Sequence, residues 1–174
     1  MKEATTVRQT GRVSRWIIAA ISIAVLVAAD QITKAMAAEK LSGGYINLIP
    51  GVFRLEYLEN RGAAFGVFQN ATGFFIVITV LFLAAAVWFY AVLPGDRKYR
   101  PLRTVCIVLA AGAVGNLIDR IFLHYVRDFL YFVLIDFPIF NVADIYVTLS
   151  AVALIIMILF VYSDDDFAFL KKKK

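Results

Sequence analysis

From Ala71 to Leu93 the chain carries no charged residue at all. An apolar run of about 18 residues or more reads as a bilayer-spanning helix, because about 20 residues at 1.5 Å rise match a hydrocarbon core of about 30 Å. Three further segments meet the same test, from about Trp16 to Ala38, Thr104 to Leu123 and Asn141 to Tyr162. Hydrophobic residues make up 61% of the 174 residues and the mean hydropathy is +0.78, whereas a soluble domain is roughly 45–50% apolar. The expectation is an all-α membrane protein of four transmembrane helices. One domain fills residues 1–174, with loops at 39–70 and 124–140 on one side of the bilayer.

The basic residues set the orientation. Lys2, Arg8, Arg12 and Arg15 precede the first span, Arg97, Lys98, Arg100 and Arg103 separate the second from the third, and Lys171 to Lys174 end the chain. The other two loops hold only Lys40, Arg54, Arg61 and Arg127. Both termini are therefore expected in the cytoplasm and both sparse loops outside. The basic start resembles a signal peptide, but the apolar run is long and holds Asp30 and Lys34, so it reads as a retained span. Net charge is +5, yet these charges flank spans and form no basic stripe, which argues against a nucleic-acid partner. A single cysteine, Cys106, excludes an internal disulfide and a multi-cysteine metal site; it reads as a small buried side chain. The single histidine, His124, reads as interfacial.

Within the first outer loop, Tyr45–Tyr57 is rich in β-branched and aromatic residues and is broken by Pro50-Gly51, a hairpin signal. Phe53, Leu55 and Tyr57 alternate with Arg54 and Glu56, as in a strand with one wet face. The small apolar run Asn60–Phe68 reads as an interfacial helix or loop.

Ionisable groups inside spans are costly and normally face a partner or a polar site. Asp30, Thr33 and Lys34 stand at i, i+3 and i+4 on one helix face. Asn116, Asp119 and Arg120 repeat that spacing, after an Ala111–Gly115 stretch of small residues that permits close helix approach. Asn141 and Asp144 open the fourth span at i, i+3. Three of the four spans thus bring polar side chains to one level at one end of the bundle. The stretch Tyr125–Asp144 adds Asp128, so two carboxylates frame its ends. Paired carboxylates in unlike protonation states hydrolyse amides: one takes a proton from water while the other donates to the carbonyl oxygen. Spacing alone leaves both Asp119 and Asp128 open as partners of Asp144. Arg120 and Asn116, beside Asp119, suit it to a permanent ion pair, and Asp136 reads as a solvated loop acid.

Five blocks in order resemble the lipoprotein signal peptidase (signal peptidase II) family: D-Q-I-T-K at Asp30–Lys34, N-R-G-A-A-F at Asn60–Phe65, G-A-V-G-N-L-I-D-R at Gly112–Arg120, V-R-D-F at Val126–Phe129 and F-N-V-A-D at Phe140–Asp144. The resemblance implies a bacterial cytoplasmic-membrane aspartic endopeptidase that cuts the signal peptide from a prolipoprotein before a diacylglyceryl-modified cysteine. It implies Asp128 and Asp144 as the catalytic acids, with Asp30, Lys34, Asn60, Asn116, Asp119, Arg120 and Asn141 in support. A small outer β-sheet, no metal or cofactor, a lipid-modified prolipoprotein and membrane lipids as partners, and action as a monomer complete the expectation. Ala111 and Ser150 stand where the family often has glycine, and both remain small.

Other readings place different demands on the same residues. A presenilin-like protease would need a G-x-G-D sequence, which is missing. A small four-span transporter would use Asp30, Lys34 and Asp119 as a relay near the midplane, open to both sides. A non-catalytic scaffold would leave the polar set without a purpose.

Overall fold

All four apolar runs are helical in the computed structural model, which describes residues 2–62 and 71–170. Helix α1 (Lys2–Lys40) starts well before the expected span, and its membrane-compatible part is Val13–Lys40. Helix α2 is Thr72–Val92. Helix α3 (Arg100–Phe122) begins four residues earlier than the hydropathy suggests. Pro101 lies in its first turn, where a missing N–H is tolerated. Helix α4 is Val142–Phe160. Residues 63–68 of the Asn60–Phe68 run and the terminal lysines lie outside the described residues.

Helix α3 is the centre of the bundle and packs against the other three. Its small residues explain this position. A Cβ on Gly112 would stand 2.5 Å from the Ala143 carbonyl oxygen, and one on Gly115 would stand 2.5 Å from Asp30 Oδ2. Ala111 and Ser150, the two small substitutes for glycine, are both buried. By contrast α2 buries only Tyr90, and large apolar side chains such as Phe74, Leu81, Trp88, Ile155 and Leu159 point outward. An apolar belt of that extent suits lipid and not water.

The hairpin forms as expected: β1 (Tyr45–Ile49) pairs antiparallel with β2 (Phe53–Asn60) around Gly51, whose φ is +74°. The second outer loop, which the sequence leaves without a strand signal, contains a third strand. β3 (Val126–Phe132) pairs antiparallel with β2 and gives the order β1-β2-β3. The wet face of β2 is furnished rather than bare. Arg54 pairs with Glu56 and stacks between Tyr45 and Tyr131, 4.5 and 5.0 Å from the ring centroids. On the other face Leu55 and Tyr57 join Ala37, Leu41 and Phe129, which seats the sheet on the end of α1. Cys106 is buried in the apolar cluster at the opposite end, with Ala19, Tyr90, Leu93, Leu102 and Tyr162. His124 is exposed, with φ +65°, where α3 turns into β3.

Candidate active site

Asp128 reaches the site from the middle of β3 and Asp144 from the first turn of α4. A backbone clamp fixes the two elements to each other. Phe140 N–H donates to the Leu130 carbonyl at 3.0 Å, and its own carbonyl accepts from Leu130 N–H at 2.8 Å and Phe129 N–H at 2.9 Å. The next residue, Asn141, caps α4. Its Oδ1 accepts from Asp144 N–H at 3.0 Å, while Asp144 Oδ2 accepts from Asn141 N–H at 3.1 Å, a capping box that fixes the Asp144 rotamer.

Three asparagine amides occupy the remaining carboxylate oxygens. Asn141 Nδ2 donates to Asp128 Oδ1 at 2.6 Å, and Asn60 Nδ2 donates to Asp128 Oδ2 at 2.9 Å. Asn116 Nδ2 donates to Asp144 Oδ1 at 2.7 Å. Each of the four oxygens therefore holds one donor and keeps lone-pair capacity for a further partner. Asn141 Nδ2 also donates to Asn116 Oδ1 at 3.2 Å, which joins the two acids through one amide chain.

Both acids line a cleft of about 510 Å³ between α3, α4, the end of β2 and the Phe137–Phe140 segment. Its walls are mostly apolar, with Val126, Phe137, Ile139, Phe140, Ile145 and Leu149 facing Asn60, Asn116 and Arg120. Asp128 is only 2% exposed. Burial, and then the nearby charge of Asp144, push its carboxyl up to about 7, against the opposing pull of the Asn60 and Asn141 bonds and of Lys34.

Beneath this layer lies an ionic cage. Asp30, Lys34 and Asp119 all have 0% exposure. Lys34 Nζ is 2.9 Å from Asp30 Oδ2 and 3.5 Å from Asp119 Oδ2, and it donates to Asn116 Oδ1 at 2.8 Å. Arg127 Nη2 and Nε donate to Asp119 at 2.7 and 3.2 Å, and its backbone N–H adds a third bond at 3.0 Å. Two carboxylates thus meet two cations. Asp30 Oδ1 also accepts from Ala143 N–H at 2.9 Å, a buried anion on a free amide of α4's first turn.

Of the residues singled out from sequence, Asn60, Asn116, Arg120, Asp128 and Asp144 line the cleft. Asp30, Lys34 and Asp119 form the cage, and Asn141 bridges the two acids. The expected partner of Asp119 is corrected: it is Arg127, helped by Lys34, and not Arg120. Adjacent helix residues diverge by about 100°, so with Asp119 turned inward Arg120 faces the cleft, 5.1 Å from the Phe75 ring centroid. Thr33, on the Asp30–Lys34 face, spends its hydroxyl on the carbonyls of Ala29 and Asp30. Asp136 is an exposed loop acid that accepts from the Tyr131 hydroxyl. Sequence reasoning does not single out two contributors, Arg127 and Gln31. Gln31 Nε2 donates to Asp119 Oδ1 at 3.1 Å and to the Gly115 carbonyl at 3.0 Å, while its Oε1 accepts from Arg127 Nη2 at 2.8 Å. Both stand inside the quoted blocks D-Q-I-T-K and V-R-D-F.

The family model described as signal peptidase (SPase) II matches residues 22–160. Lipoprotein signal peptidases of Streptococcus pyogenes, serotypes M5 (strain Manfredo) and M18 (strain MGAS8232), are each 37% identical over 148 residues. That covers 84% of this chain and 94% of theirs. A bacterial membrane enzyme solved by the in meso method at 2.3 Å resolution superposes with a TM-score of 0.72 at 30% identity, covering 90% of this chain and 93% of that one. A second such structure, at 1.9 Å resolution, gives 0.72 at 31% identity, covering 83% and 94%.

Proposed function

The chain belongs to the signal peptidase II family, and from that premise we propose that it removes signal peptides from lipid-modified prolipoproteins, with Asp128 and Asp144 as an aspartic catalytic pair. The observation that carries the assignment is geometric. These two acids, from different elements, are held by amides on one wall of a single largely apolar cleft. Asp119 is spent inside the cage and does not line that cleft.

The chemistry follows from the pair's unequal protonation. With its carboxyl pushed up to about 7, Asp128 holds a proton through much of the neutral range. The ionised member of the pair takes a proton from a water molecule as that water's oxygen bonds to the scissile carbonyl carbon. The protonated acid donates to the carbonyl oxygen. As the tetrahedral intermediate collapses, the C–N bond breaks and the nitrogen leaves with a proton from the pair. The amides of Asn60, Asn116 and Asn141 keep both carboxyls oriented throughout, so no reorganisation is needed at the moment of reaction. Arg120 is the one cation among the described residues that line the cleft, placed to steady a developing oxyanion or the peptide carbonyl beside it.

The substrate reading fits the cleft's walls. Ile145, Thr148 and Leu149 extend it down α4, and Leu149 is 63% exposed toward the lipid face. A membrane-embedded signal helix reaches the acids along that side without entering water. The distribution of basic residues supports both termini in the cytoplasm and the acids at the outer surface. One chain supplies an amide donor to every oxygen of the two acids, which supports a monomer. The transporter reading is set aside, because Asp30, Lys34 and Asp119 are tied to one another in a closed cage and offer no relay.

The test is cleavage of a purified precursor. A diacylglyceryl-modified prolipoprotein should be cut immediately before its lipidated cysteine, whereas the unmodified precursor should not. Equal cleavage of both would remove the lipid from the substrate definition. No cleavage of either by folded protein would overturn the activity.

A further inference from the structure

A second site lies at the opposite end of the bundle. Helices α1 and α2 both pack on α3 and meet each other where the Trp16 and Tyr90 rings stand edge to face, 4.8 Å between centroids. The groove left between them is wholly apolar, with Trp16, Ile23, Val87 and Tyr90 on its walls and Ile107 and Ala110 on its floor. Beyond its Trp16–Tyr90 end, two guanidinium groups flank one turn. Arg103 donates to the carbonyls of Pro94 and Asp96. Arg15 lies on the other side of the same turn: its Nη1 would be 3.8 Å from a Cβ on Gly95. Tyr90 ties groove and turn together by donating to the Arg15 carbonyl at 3.1 Å.

Neither arginine forms an ion pair with a carboxylate among the described residues, and Asp96 acts on Arg103 only from beyond ion-pair distance. Arg15 Nη1 is buried without a hydrogen-bond partner, and the charges of Arg15 and Arg103 oppose each other. Two such cations at the end of an apolar slot lack an anion that also carries hydrocarbon. We propose that this groove holds an anionic phospholipid, with its phosphate at Arg15 and Arg103 and an acyl chain along Trp16 and Ile23 of α1 and Val87 of α2. The site is separate from the catalytic cleft and shares no lining residue with it. A phosphate group matches the donors left over, since guanidinium binds phosphate oxygens in pairs. The groove selects a lipid over a soluble phosphate, because only the lipid can cover its apolar walls.

The experiment uses the full chain in a zwitterionic detergent. Binding of dioleoylphosphatidylglycerol is followed by native mass spectrometry and by its effect on melting temperature, with dioleoylphosphatidylcholine and inorganic phosphate in parallel. Phosphatidylglycerol should be retained and should raise the melting temperature more than either control. Arg15→Gln should weaken its apparent affinity about fivefold, the effect of roughly one near-surface basic residue. Exposed Arg97→Gln should leave retention unchanged, and Ala86→Trp, which fills the groove, should abolish it. Should Ala86→Trp fail to fold, the comparison of Arg15→Gln with Arg97→Gln still decides. Equal losses in those two variants would reduce the effect to general surface charge and overturn the site. Equal stabilisation by phosphatidylcholine would overturn the role of the anionic head. Equal stabilisation by phosphate alone would overturn the lipid as occupant.

Discussion

Replacing Asp119 by asparagine should damage the fold, whereas the same change at Asp128 should damage only the chemistry. The contrast can be worked from the two environments. Asp119 is fully buried and answers two cations, with Arg127 at 2.7 Å and Lys34 at 3.5 Å. An asparagine there leaves Asp30 as the single anion of the cage facing both. It also turns an amide N–H toward a donor that formerly met a carboxylate oxygen. Leaving a buried charge uncompensated costs about 3–5 kcal/mol. At about 2–4 °C per kcal/mol for a chain of this size, the melting temperature should fall by roughly 6–20 °C. Asp128 differs in that its hydrogen-bond partners are neutral amides, with a second acid nearby and no cation in an ion pair with it. The Asp128→Asn variant loses about one hydrogen bond, on the order of 1–3 kcal/mol, but it also removes the cost of ionising a buried carboxyl beside Asp144. These terms oppose each other, so the melting temperature should stay within a few degrees of wild type.

Cleavage should separate the variants in the other direction. Asp128→Asn and Asp144→Asn should each lower turnover by about 10²–10⁴ or more, the usual weight of a general acid or base. The double variant should be little worse than either single one, because the pair works as a unit. Precursor cleavage and thermal melting of all variants in one detergent give both readouts. A well-folded Asp128→Asn enzyme that cuts near the wild-type rate would refute the assignment. An inert but fully stable Asp119→Asn would move Asp119 into the catalytic pair.

Arg127→Gln should destabilise about as much as Asp119→Asn, and the two changes together should cost less than their sum, since each removes the same pair; melting of the double variant reads this directly. Arg120→Gln should melt near wild type yet cleave poorly, and a large loss of stability there would restore Arg120 to the cage. The Asp128 carboxyl is raised from 3.8 to about 7, so folding takes up a proton between those values. Stability should therefore fall as pH rises from about 4 to about 7, and Asp128→Asn should flatten that slope. Cleavage should decline as pH rises through about 7; a rate still climbing at about pH 9 would contradict a protonated acid in the resting pair. In a Cys106→Ala background, a cysteine at Lys98 should resist impermeant maleimide added to intact cells, and its labelling would invert the proposed topology.

The spans are legible in the sequence because the bilayer imposes one simple demand, a long apolar run, and each run meets it to within a few residues at α2 and α4. The hairpin is legible because Pro50-Gly51 separates two runs with strand chemistry. β3 is not, because its two faces hide its period. Val126 and Asp128 face the cleft, while Arg127 turns to the cage and Phe129 to the end of α1. Neither side therefore shows the alternation of apolar and polar residues that marks a half-buried strand. Without the strand Arg127 goes unnoticed, since it can reach Asp119 only because strand pleating turns consecutive side chains to opposite faces. Arg120 attracts the pairing instead through mere adjacency in sequence. The i, i+3, i+4 rule correctly groups Asp30 with Lys34, but it cannot show that a residue between them, Gln31, crosses to α3.

The cage and the acids solve two problems that one set of charges could not solve together. A bundle this thin has to hold α1, α3 and α4 in fixed register near the lipid, and a neutral buried quartet achieves that at the expense of being chemically inert. The proposed catalytic acids need the opposite condition, unpaired by any cation and free to exchange a proton. Asn116 and Asn141 stand between the two layers. Asn116 accepts from Lys34 below and donates to Asp144 above, while Asn141 donates to Asp128 and caps the helix that carries Asp144. An amide transmits position without supplying a full charge. An aspartate at either place would add a third acid to the pair, and a lysine would hold the nearest carboxylate permanently ionised. Asn116→Asp and Asn141→Asp should therefore fold less well and cleave poorly, because each adds an anion beside the pair. A leucine in place of Asn116 would strand the Lys34 ammonium that now donates to it, which makes the intermediate amide the residue type that both layers require.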